Sequence, residues 1–447
     1  MLPFRTQRSM FEIKPREKMV ERAVLVGAYM EAGGREEAED LLQELGELVQ
    51  TLGIPVIESI LVHHREAHAR LLLGTGKAEE IADRVKEIAA DVVIFDNELT
   101  PAQQRNWEEL TKMTVIDRHE VILDIFGTRA QTREARIQVD LARMSYSLPR
   151  LTRAWSHLGK QGGGIGSKGE GESQLEQDKR KIRGQMDGLR RELQQVRRSR
   201  ATQRKDRKRT PVPNAAIVGY TNAGKSSLLR RLTGADVLVE DKLFATLDTT
   251  TRKIALPNKQ PLLLTDTVGF VRKLPHQLVE SFNATLEEAA LSDFLIHVLD
   301  ASQPKVMEFY NTTMHVLGEL GADTKQMLVV FNKMDKVDDP STRTVLRRHF
   351  PNAVFVSVHS GDGMDELIDR IGGFVDQDTV TLRFTMPLDR TDVLARLHRD
   401  GRVHSTDYEE AVVHVQATIS QRAAHDLLEF VSADSDLAAT PSPSQAV

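Results

Sequence analysis

Residues 214–229 read NAAIVGYTNAGKSSLL: a short apolar run, a loop with two glycines and the beginning of a helix. Residues 219–226 match the pattern G-x-x-x-x-G-K-[ST], in the order strand, loop and helix that this phosphate-binding motif requires. Its glycines allow backbone N–H groups to surround a phosphate at the helix N-terminus. Taken alone, the pattern has an alternative, a glycine turn beside a buried strand. The residues predicted to line the phosphates are Gly219, Tyr220, Thr221, Asn222, Ala223, Gly224, Lys225 and Ser226.

Two side chains at the end of this loop have separate tasks. We expect Lys225 to neutralise the β and γ oxygens of a nucleoside triphosphate, and the Ser226 hydroxyl to bind Mg²⁺. A second segment supports the same site, because an apolar run at 262–264 leads into Asp266, Thr267, Val268 and Gly269. The Asp266 carboxylate can hold Mg²⁺ through water, and the Gly269 amide can sense the γ-phosphate.

Two later segments indicate that the base is guanine. An apolar run at 329–331 leads into Asn332, Lys333, Met334 and Asp335. The Asp335 carboxylate can accept hydrogen bonds from guanine N1–H and from the exocyclic amine, a pair of donors that adenine does not present. A further run at 354–356 leads into Ser357, Val358 and His359, where a backbone N–H can donate to guanine O6. The four segments together predict a guanine-nucleotide site.

A threonine between the phosphate loop and Asp266 should close over Mg²⁺ when the γ-phosphate is present. The candidates are Thr246, Thr249, Thr250 and Thr251, and composition does not choose among them. The alternative is that most of them are strand formers or lie in an exposed loop.

Composition sets wider limits. A chain of 447 residues suggests about three compact units. With 40% hydrophobic and 28% charged residues, it is typical of a globular protein. Zero cysteines exclude disulfides, thiolate metal sites and thiol nucleophiles, and no apolar run approaches the ~20 residues that cross a bilayer. We therefore expect a cytoplasmic protein.

Apolar runs alternate with amphipathic stretches, which predicts an α/β fold in several domains. Strands in a mostly parallel N-terminal sheet are expected at 23–26, 56–61, 91–95 and 114–116, and helices at 36–52, 78–90 and 101–113. The expected domains are a small N-terminal α/β domain at 1–125, a helical-hairpin arm with a glycine-rich loop at 126–210, a nucleotide domain with a mostly parallel sheet flanked by helices at 211–375, and an α+β domain of strand, helix, strand and helix at 376–431. A disordered tail is expected at 432–447.

The arm has two stripes of apolar residues, at 137–151 and 175–196, separated by a glycine-rich break at 157–171. The spacing predicts two antiparallel helices resembling a short coiled coil, the first kinked or ended by Pro149. Nine lysines and arginines lie between 179 and 200, and such side chains bind RNA phosphates largely independently of base sequence. A solvated coiled-coil face is the alternative. The small residues of the break favour RNA, since they allow close approach.

With these residues in place, the chain resembles the HflX family, the ribosome-associated branch of the Obg-HflX GTPases, over nearly its whole length. Features typical of that family are LFATLD at 243–248, DTVGFVRKLPHQLVESFNATLEE at 266–288 and GGGIGSKGEGESQLEQDKR at 162–180. The resemblance places the switch threonine on Thr246, so that Ser226 and Thr246 are the expected direct ligands of Mg²⁺. It implies that Lys225, Thr246 and Gly269 are catalytic. It also adds Phe244, Ala245, Leu247 and Asp248 to the nucleotide site.

The resemblance implies a GTPase that hydrolyses GTP to GDP and phosphate. It implies binding to the large (50S) ribosomal subunit and its rRNA, by a protein that is monomeric when free, and splitting or anti-association of ribosomes under stress. Phe270 stands where Ras-like proteins have a water-orienting glutamine, so we expect slow hydrolysis that ribosomes stimulate. The alternatives are a GTP-gated RNA-binding factor or a large-subunit assembly factor, in which hydrolysis only resets binding.

Two weaker patterns lie in the N-terminal domain. Residues 73–78 read LGTGKA and depart from the phosphate-loop pattern at both ends. Because the family's N-terminal domain has been linked to ATP, an ATP site there stands beside a structural turn as an alternative. We interpret His63, His64 and His68 as surface histidines rather than metal ligands.

Overall fold

The computed structural model describes residues 22–30, 34–151, 168–208, 212–234, 243–244, 247, 249–258, 260–273, 288–377 and 379–432. The chain folds into two compact units, one of Met1–Thr128 with Arg143–Ile182 and one of Arg129–Ala142 with Arg183–Val447. Within the described ranges, no helix is both long and apolar enough to cross a membrane.

The first unit is built on a four-stranded parallel sheet. Its strands are β1 (Ala23–Tyr29), β2 (Val56–His63), β3 (Val92–Phe95) and β4 (Thr114–Asp117), in the order β2-β1-β3-β4. Its helices are α1 (Arg35–Thr51), α2 (Thr75–Glu87), α3 (Pro101–Thr111) and α4 (Arg118–Arg129). The core includes Trp107, whose ring centroid lies 4.8 Å from that of Phe95. The predicted strands, helices and parallel pairing are confirmed, with boundaries shifted by a few residues.

Two helices occupy the region of the predicted arm, α5 (Arg133–Ser147) and α6 (Lys168–Lys208). A short 3₁₀ turn at Leu148–Arg150 follows α5, so the first helix ends just before Pro149, as predicted. An ion pair of 2.7 Å between Arg133 Nη2 and Glu192 Oε1 joins the two helices.

The predicted glycine-rich break is wrong at its C-terminal end, because α6 already includes residues 168–171. A glycine inside a helix costs only about 1 kcal/mol relative to alanine, so the helix can extend over Gly169 and Gly171. The rest of the predicted loop, 157–167, lies outside the described residues.

The second unit contains the predicted nucleotide domain. Its strands are β5 (Asn214–Val218), β6 (Thr250–Ala255), β7 (Pro261–Asp266), β8 (Phe294–Asp300), β9 (Met327–Asn332) and β10 (Val354–Phe355), in the order β10-β9-β8-β5-β7-β6. Only β6 among them runs antiparallel to its neighbour. The described helices are α7 (Lys225–Thr233), α8 (Val306–Glu319), α9 (Pro340–His349) and α10 (Met364–Gln377). Strand β8 is buried along its whole length, as expected for a central strand covered on both faces.

A three-stranded antiparallel sheet follows. It consists of β11 (Thr379–Pro387), β12 (Arg402–Tyr408) and β13 (Val412–Ser420), in the order β11-β13-β12, with helices α11 (Thr391–Asp400) and α12 (Gln421–Asp426). The predicted α+β character is confirmed, but the prediction of one strand between the helices is wrong. Strand β12 was missed because it is an edge strand whose side chains are mostly exposed, so it lacks apolar alternation.

The predicted tail begins one residue too early. The Ser432 N–H donates to Arg383 O at 2.9 Å, and its hydroxyl lies 2.6 Å from that of Thr385, so Ser432 is held against β11. Residues 433–447 lie outside the described residues.

Candidate nucleotide site

The phosphate loop connects the buried strand β5 to helix α7, as the motif requires. Gly219 has φ 143°, and a Cβ there would lie 2.2 Å from Val298 O. Gly224 has φ 97°, and a Cβ there would lie 2.2 Å from Asn332 Nδ2. Only glycine therefore fits either position, because a side chain meets both an unfavourable backbone conformation and a neighbouring atom.

Lys225 is buried beneath this loop. Its Nζ donates a hydrogen bond of 2.7 Å to Tyr220 O. Burial lowers the pKa of Lys225 to about 8, and the Asp266 carboxylate opposes that shift only in part. The ammonium group is thus incompletely compensated by the chain, an arrangement that suits an anionic ligand.

Ser226 and Asp266 meet at the beginning of α7 and the end of β7. The Ser226 hydroxyl donates to Asp266 Oδ2 at 2.6 Å, and the Asp266 side chain is fully buried. A hydroxyl and a carboxylate supply the oxygen ligands that Mg²⁺ prefers, so these residues fit the expected metal ion. Thr246, the other expected ligand, lies outside the described residues.

The segment after β7 is bonded to the phosphate loop. Thr267 Oγ1 donates to Ile217 O at 2.7 Å. Phe270 N–H donates to Gly219 O at 3.2 Å, and Thr221 N–H donates to Phe270 O at 2.8 Å. Val268 and the Phe270 ring are buried, so the residue in the place of a water-orienting glutamine faces the interior.

On the base side, the amide of Asn332 links three motif segments. Its Nδ2 donates to Ala223 O in the phosphate loop at 2.9 Å, and its Oδ1 accepts from Val358 N–H at 3.1 Å. Lys333 follows in the left-handed conformation, with φ 61°, and its Nζ lies 2.8 Å from Asp300 Oδ2. These contacts hold the two segments predicted to bind guanine against the phosphate loop.

Asp335 is exposed and oriented by one neighbour. The Ser357 hydroxyl donates to Asp335 Oδ1 at 2.5 Å. This hydrogen bond, helped by nearby His359 and Lys336, lowers the pKa of Asp335 and keeps the carboxylate ionised. Met334 N–H donates to Val356 O at 3.2 Å, which joins the turn carrying Asp335 to the end of β10.

The structure brings most of the predicted site residues together. Direct contacts connect residues of the segments 219–226, 266–269, 332–335 and 357–358. Phe244 and Leu247 are buried, while Ala245, Thr246 and Asp248 lie outside the described residues. Sequence reasoning missed Asp300, the partner of Lys333, although an acidic residue at the carboxyl end of an apolar strand was a readable signal.

Other candidates lie away from these contacts. Thr250 and Thr251 belong to β6, whereas Thr249 precedes that strand. In the N-terminal unit, Lys77 forms an ion pair with Glu80 on its own helix. Gly74 precedes α2 with ordinary extended backbone angles, as in a structural turn.

Three family profiles match the chain. Residues 39–127 match a GTP-binding GTPase N-terminal domain, 129–207 a GTP-binding GTPase middle region and 214–333 a 50S ribosome-binding GTPase. GTPase HflX of Akkermansia muciniphila is 50% identical over 435 residues, which cover 95% of this chain and 100% of the relative. The chain belongs to the HflX family of GTPases. It is therefore a P-loop enzyme that hydrolyses GTP, with a GTPase domain of the ribosome-binding kind.

One more distant relative agrees with this family assignment. GTPase HflX of Escherichia coli K12 is 42% identical over 367 residues, covering 81% of this chain and 85% of the relative. A crystal structure of a GTP-binding protein from the archaeon Sulfolobus solfataricus in complex with GDP is 24% identical and covers 80% of this chain and 99% of that one. Its TM-score of 0.44 is too low for a comparison of domain arrangement.

Proposed function

We propose that this HflX-family GTPase binds GTP with Mg²⁺ at the site around Lys225 and Asp335, and that it acts on the large ribosomal subunit to split ribosomes or prevent subunit joining. The observation that carries the nucleotide assignment is the set of hydrogen bonds through Asn332. That side chain fixes the phosphate loop and the base-binding turns in one frame.

Different groups of the site would bind different parts of GTP. Lys225 and the loop amides bind the β- and γ-phosphates, the Gly269 amide meets the γ-phosphate, and the Asp335 carboxylate selects guanine. Ser226, with Thr246 and a water held by Asp266, would hold Mg²⁺, which neutralises charge on the phosphate oxygens when bound.

Hydrolysis by the isolated protein is expected to be slow. The ring of Phe270 is buried and carries no polar atom with which to orient water. A partner must therefore rearrange this segment or supply the missing group. The family profile matched by 214–333 describes a GTPase that binds the 50S subunit, which supports that subunit as the partner.

Helix α6 supplies a second argument for an RNA partner. Some of its cations are paired within the helix, such as Lys179 with Glu176 and Arg190 with Asp187. Others, including Arg180 and Arg183, are exposed. Arginines on such a helix can contact RNA phosphates, with an affinity that falls steeply as salt rises.

Two measurements test the proposal. GTP turnover is expected to rise when 50S subunits or ribosomes are added, and unchanged turnover would contradict stimulation by that partner. Subunit splitting is then compared with GTP and with a non-hydrolysable analogue. Splitting by the analogue-bound protein would identify binding energy as the driver, whereas a preference for immature particles would favour an assembly factor.

A further inference from the structure

The side chain of Tyr220 in the phosphate loop contacts two other segments of the nucleotide domain, although a backbone-lined phosphate site does not require it. We propose that Tyr220 is a positioning residue that holds segment 266–272 against the phosphate loop, and thereby disfavours GTP relative to GDP. The inference rests on the proposed nucleotide site and concerns how that site discriminates a third phosphate.

The Tyr220 ring is fixed on two sides. It stacks on Phe309 of α8, with ring centroids 4.3 Å apart and planes inclined by 23°. Its hydroxyl accepts a hydrogen bond of 2.7 Å from the backbone N–H of Arg272. The Arg272 guanidinium also lies over the Phe309 ring, 5.7 Å from its centroid. A residue of the phosphate loop thus joins α8 to the segment that follows Gly269.

Backbone contacts reinforce this connection. Tyr220 and Phe270 form a parallel β-bridge, through the hydrogen bonds of Gly219 O and Thr221 N–H with Phe270. Together with the Tyr220 hydroxyl, these bonds fasten both 270 and 272 to the phosphate loop. The hydroxyl bond is the one that a side-chain substitution can remove alone.

Little space remains between segment 266–272 and the phosphate loop, where the γ-phosphate is expected to bind. A Cβ built on Gly269 would lie 2.9 Å from Lys225 Nζ and 2.8 Å from Thr221 Cα. A γ-phosphoryl group that accepts from both Lys225 Nζ and the Gly269 amide needs a hydrogen bond of about 2.9 Å on each side. Thr221 Cα is a backbone atom, so no further atom fits on that face of Gly269 unless segment 266–272 and the phosphate loop separate. We infer that a γ-phosphoryl group bound there requires this separation. GDP has no γ-phosphate and does not require this movement.

A ligand shifts a conformational equilibrium only by its difference in affinity for the two conformations. If contacts of Tyr220 stabilise the narrow conformation, weakening them should favour GTP over GDP. Tyr220→Phe keeps the stacking on Phe309 and removes the acceptor for Arg272 N–H. Loss of one neutral hydrogen bond corresponds to a change of roughly 2- to 10-fold in an equilibrium constant.

The experiment measures the dissociation constants of GDP and of a non-hydrolysable GTP analogue by calorimetry, on the full chain with Mg²⁺. We expect Tyr220→Phe to raise the affinity for the analogue relative to GDP by roughly 2- to 10-fold. Phe309→Leu, which keeps apolar volume but removes the stacking partner, should shift the ratio in the same direction. Tyr310→Phe is the matched control, because it removes a neighbouring tyrosine hydroxyl on α8 and should leave the ratio unchanged.

The outcomes separate the inference from the proposed site. If wild-type protein binds both nucleotides and Tyr220→Phe leaves their ratio unchanged, or moves it toward GDP, the role of Tyr220 is wrong and the site stands. If wild-type protein binds neither nucleotide, the site itself is wrong. Hydrogen exchange adds a local readout, since the Arg272 amide should exchange faster in Tyr220→Phe than in Tyr310→Phe.

Discussion

The N-terminal unit and the nucleotide domain are both built on parallel sheets, and both place charged side chains where buried strands end. In the first, Asp96 directly follows β3 and accepts from Arg118 Nε at 2.8 Å. Arg118 also contacts Glu44 Oε1 at 2.8 Å and is almost completely buried. In the second, Lys225 is also buried, but its ammonium group donates to a loop carbonyl, and Asp266 accepts from Ser226 instead.

The two buried cations respond in opposite directions. Burial lowers the pKa of Arg118, but the carboxylates of Asp96 and Glu44 outweigh that effect, so its pKa is raised. Burial lowers the pKa of Lys225 to about 8, and Asp266 compensates only in part. We infer that a buried cation stabilises the fold where the chain supplies its counter-ions, as at Arg118, and is available to an anionic ligand where the chain supplies fewer, as at Lys225.

A second cluster in the N-terminal sheet follows the same rule. Asp117, at the end of β4, accepts hydrogen bonds from the Leu99 N–H at 3.1 Å, the Tyr146 hydroxyl at 3.0 Å and the Glu120 N–H at 3.2 Å. Arg150 adds a cation 3.7 Å away. The Asp117 carboxylate is satisfied by its own unit, whereas Asp335 in the nucleotide domain is exposed, and Ser357 is its one side-chain donor among the described residues.

The largest effect is expected at Asp335, since it supplies the acceptor left open for a ligand. Asp335→Asn replaces a charged acceptor of two hydrogen bonds by a group that presents a donor to guanine. Hydrogen bonds to charged groups contribute about 1.5–3 kcal/mol each, so GTP affinity should fall by roughly 100-fold or more. Xanthine carries an oxygen, a hydrogen-bond acceptor, in place of the exocyclic amine of guanine. Xanthine nucleotides should therefore bind this variant better than guanine nucleotides do. Calorimetry with GDP and with xanthosine diphosphate measures both affinities without hydrolysis. Retained affinity for GDP would show that Asp335 does not contact the base.

In the N-terminal unit, removal of the cation should affect stability instead of binding. Arg118→Met leaves the buried carboxylates of Asp96 and Glu44 without their partner, which should cost about 3–5 kcal/mol. Urea unfolding is followed by the fluorescence of the buried Trp107, in a Trp155→Phe background so that one fluorophore reports. GDP affinity should match that of the background protein.

The matched control is Arg143→Met. Arg143 pairs with Asp124 at 2.9 Å, but the two side chains are 42% and 52% exposed. Such a surface pair contributes about 0–1 kcal/mol. Equal losses of stability in the two variants would show that the buried cluster does not have the structural role inferred here.

The parts of the site that sequence could predict are those whose chemistry demands fixed residue types. Gly219, Gly224 and Lys225 are readable because only glycine fits the two turns and only a cation suits the phosphates. The contacts that Asn332 makes with Ala223 and Val358, and the stacking of Tyr220 on Phe309, join distant segments and leave no local pattern.

The fold was predictable to the same degree and for a related reason. Strand β9 carries the apolar run predicted at 329–331, whereas β12 pairs through its backbone at a sheet edge and exposes most of its side chains. A buried strand requires apolar side chains, which form a recognisable pattern in the sequence. An edge strand that is held by backbone hydrogen bonds does not require that pattern.

The last prediction depends on pH and concerns a buried group outside the binding site that has no counter-ion in the described part of the chain. His297 in β8 is fully buried, stacks on Tyr310 with ring centroids 5.2 Å apart, and has no hydrogen-bond partner for either ring nitrogen among the described residues. Burial first, and the positive charge of Lys225 second, lower the pKa of His297 to about 3 from 6.5. The unfolded chain therefore binds the proton more readily throughout that interval, so stability falls as pH drops below 6.5.

This titration should destabilise the domain by on the order of 3 kcal/mol between pH 6.5 and about pH 4, because each pKa unit corresponds to about 1.4 kcal/mol. His297→Leu removes the titrating group, so its advantage over wild type should grow by that amount as the pH falls. Hydrogen exchange of the β8 amides, corrected for intrinsic rates, gives the local free energy of opening at each pH. Above about pH 7 histidine is neutral in the folded and unfolded states. The difference in stability between the two proteins should therefore become independent of pH there, since only their difference in packing remains. If the stabilities of the two proteins changed in parallel with pH, the imidazole of His297 would be protonated as easily in the folded state as in the unfolded state. The contrast with the cluster around Arg118 would then apply to the phosphate site alone.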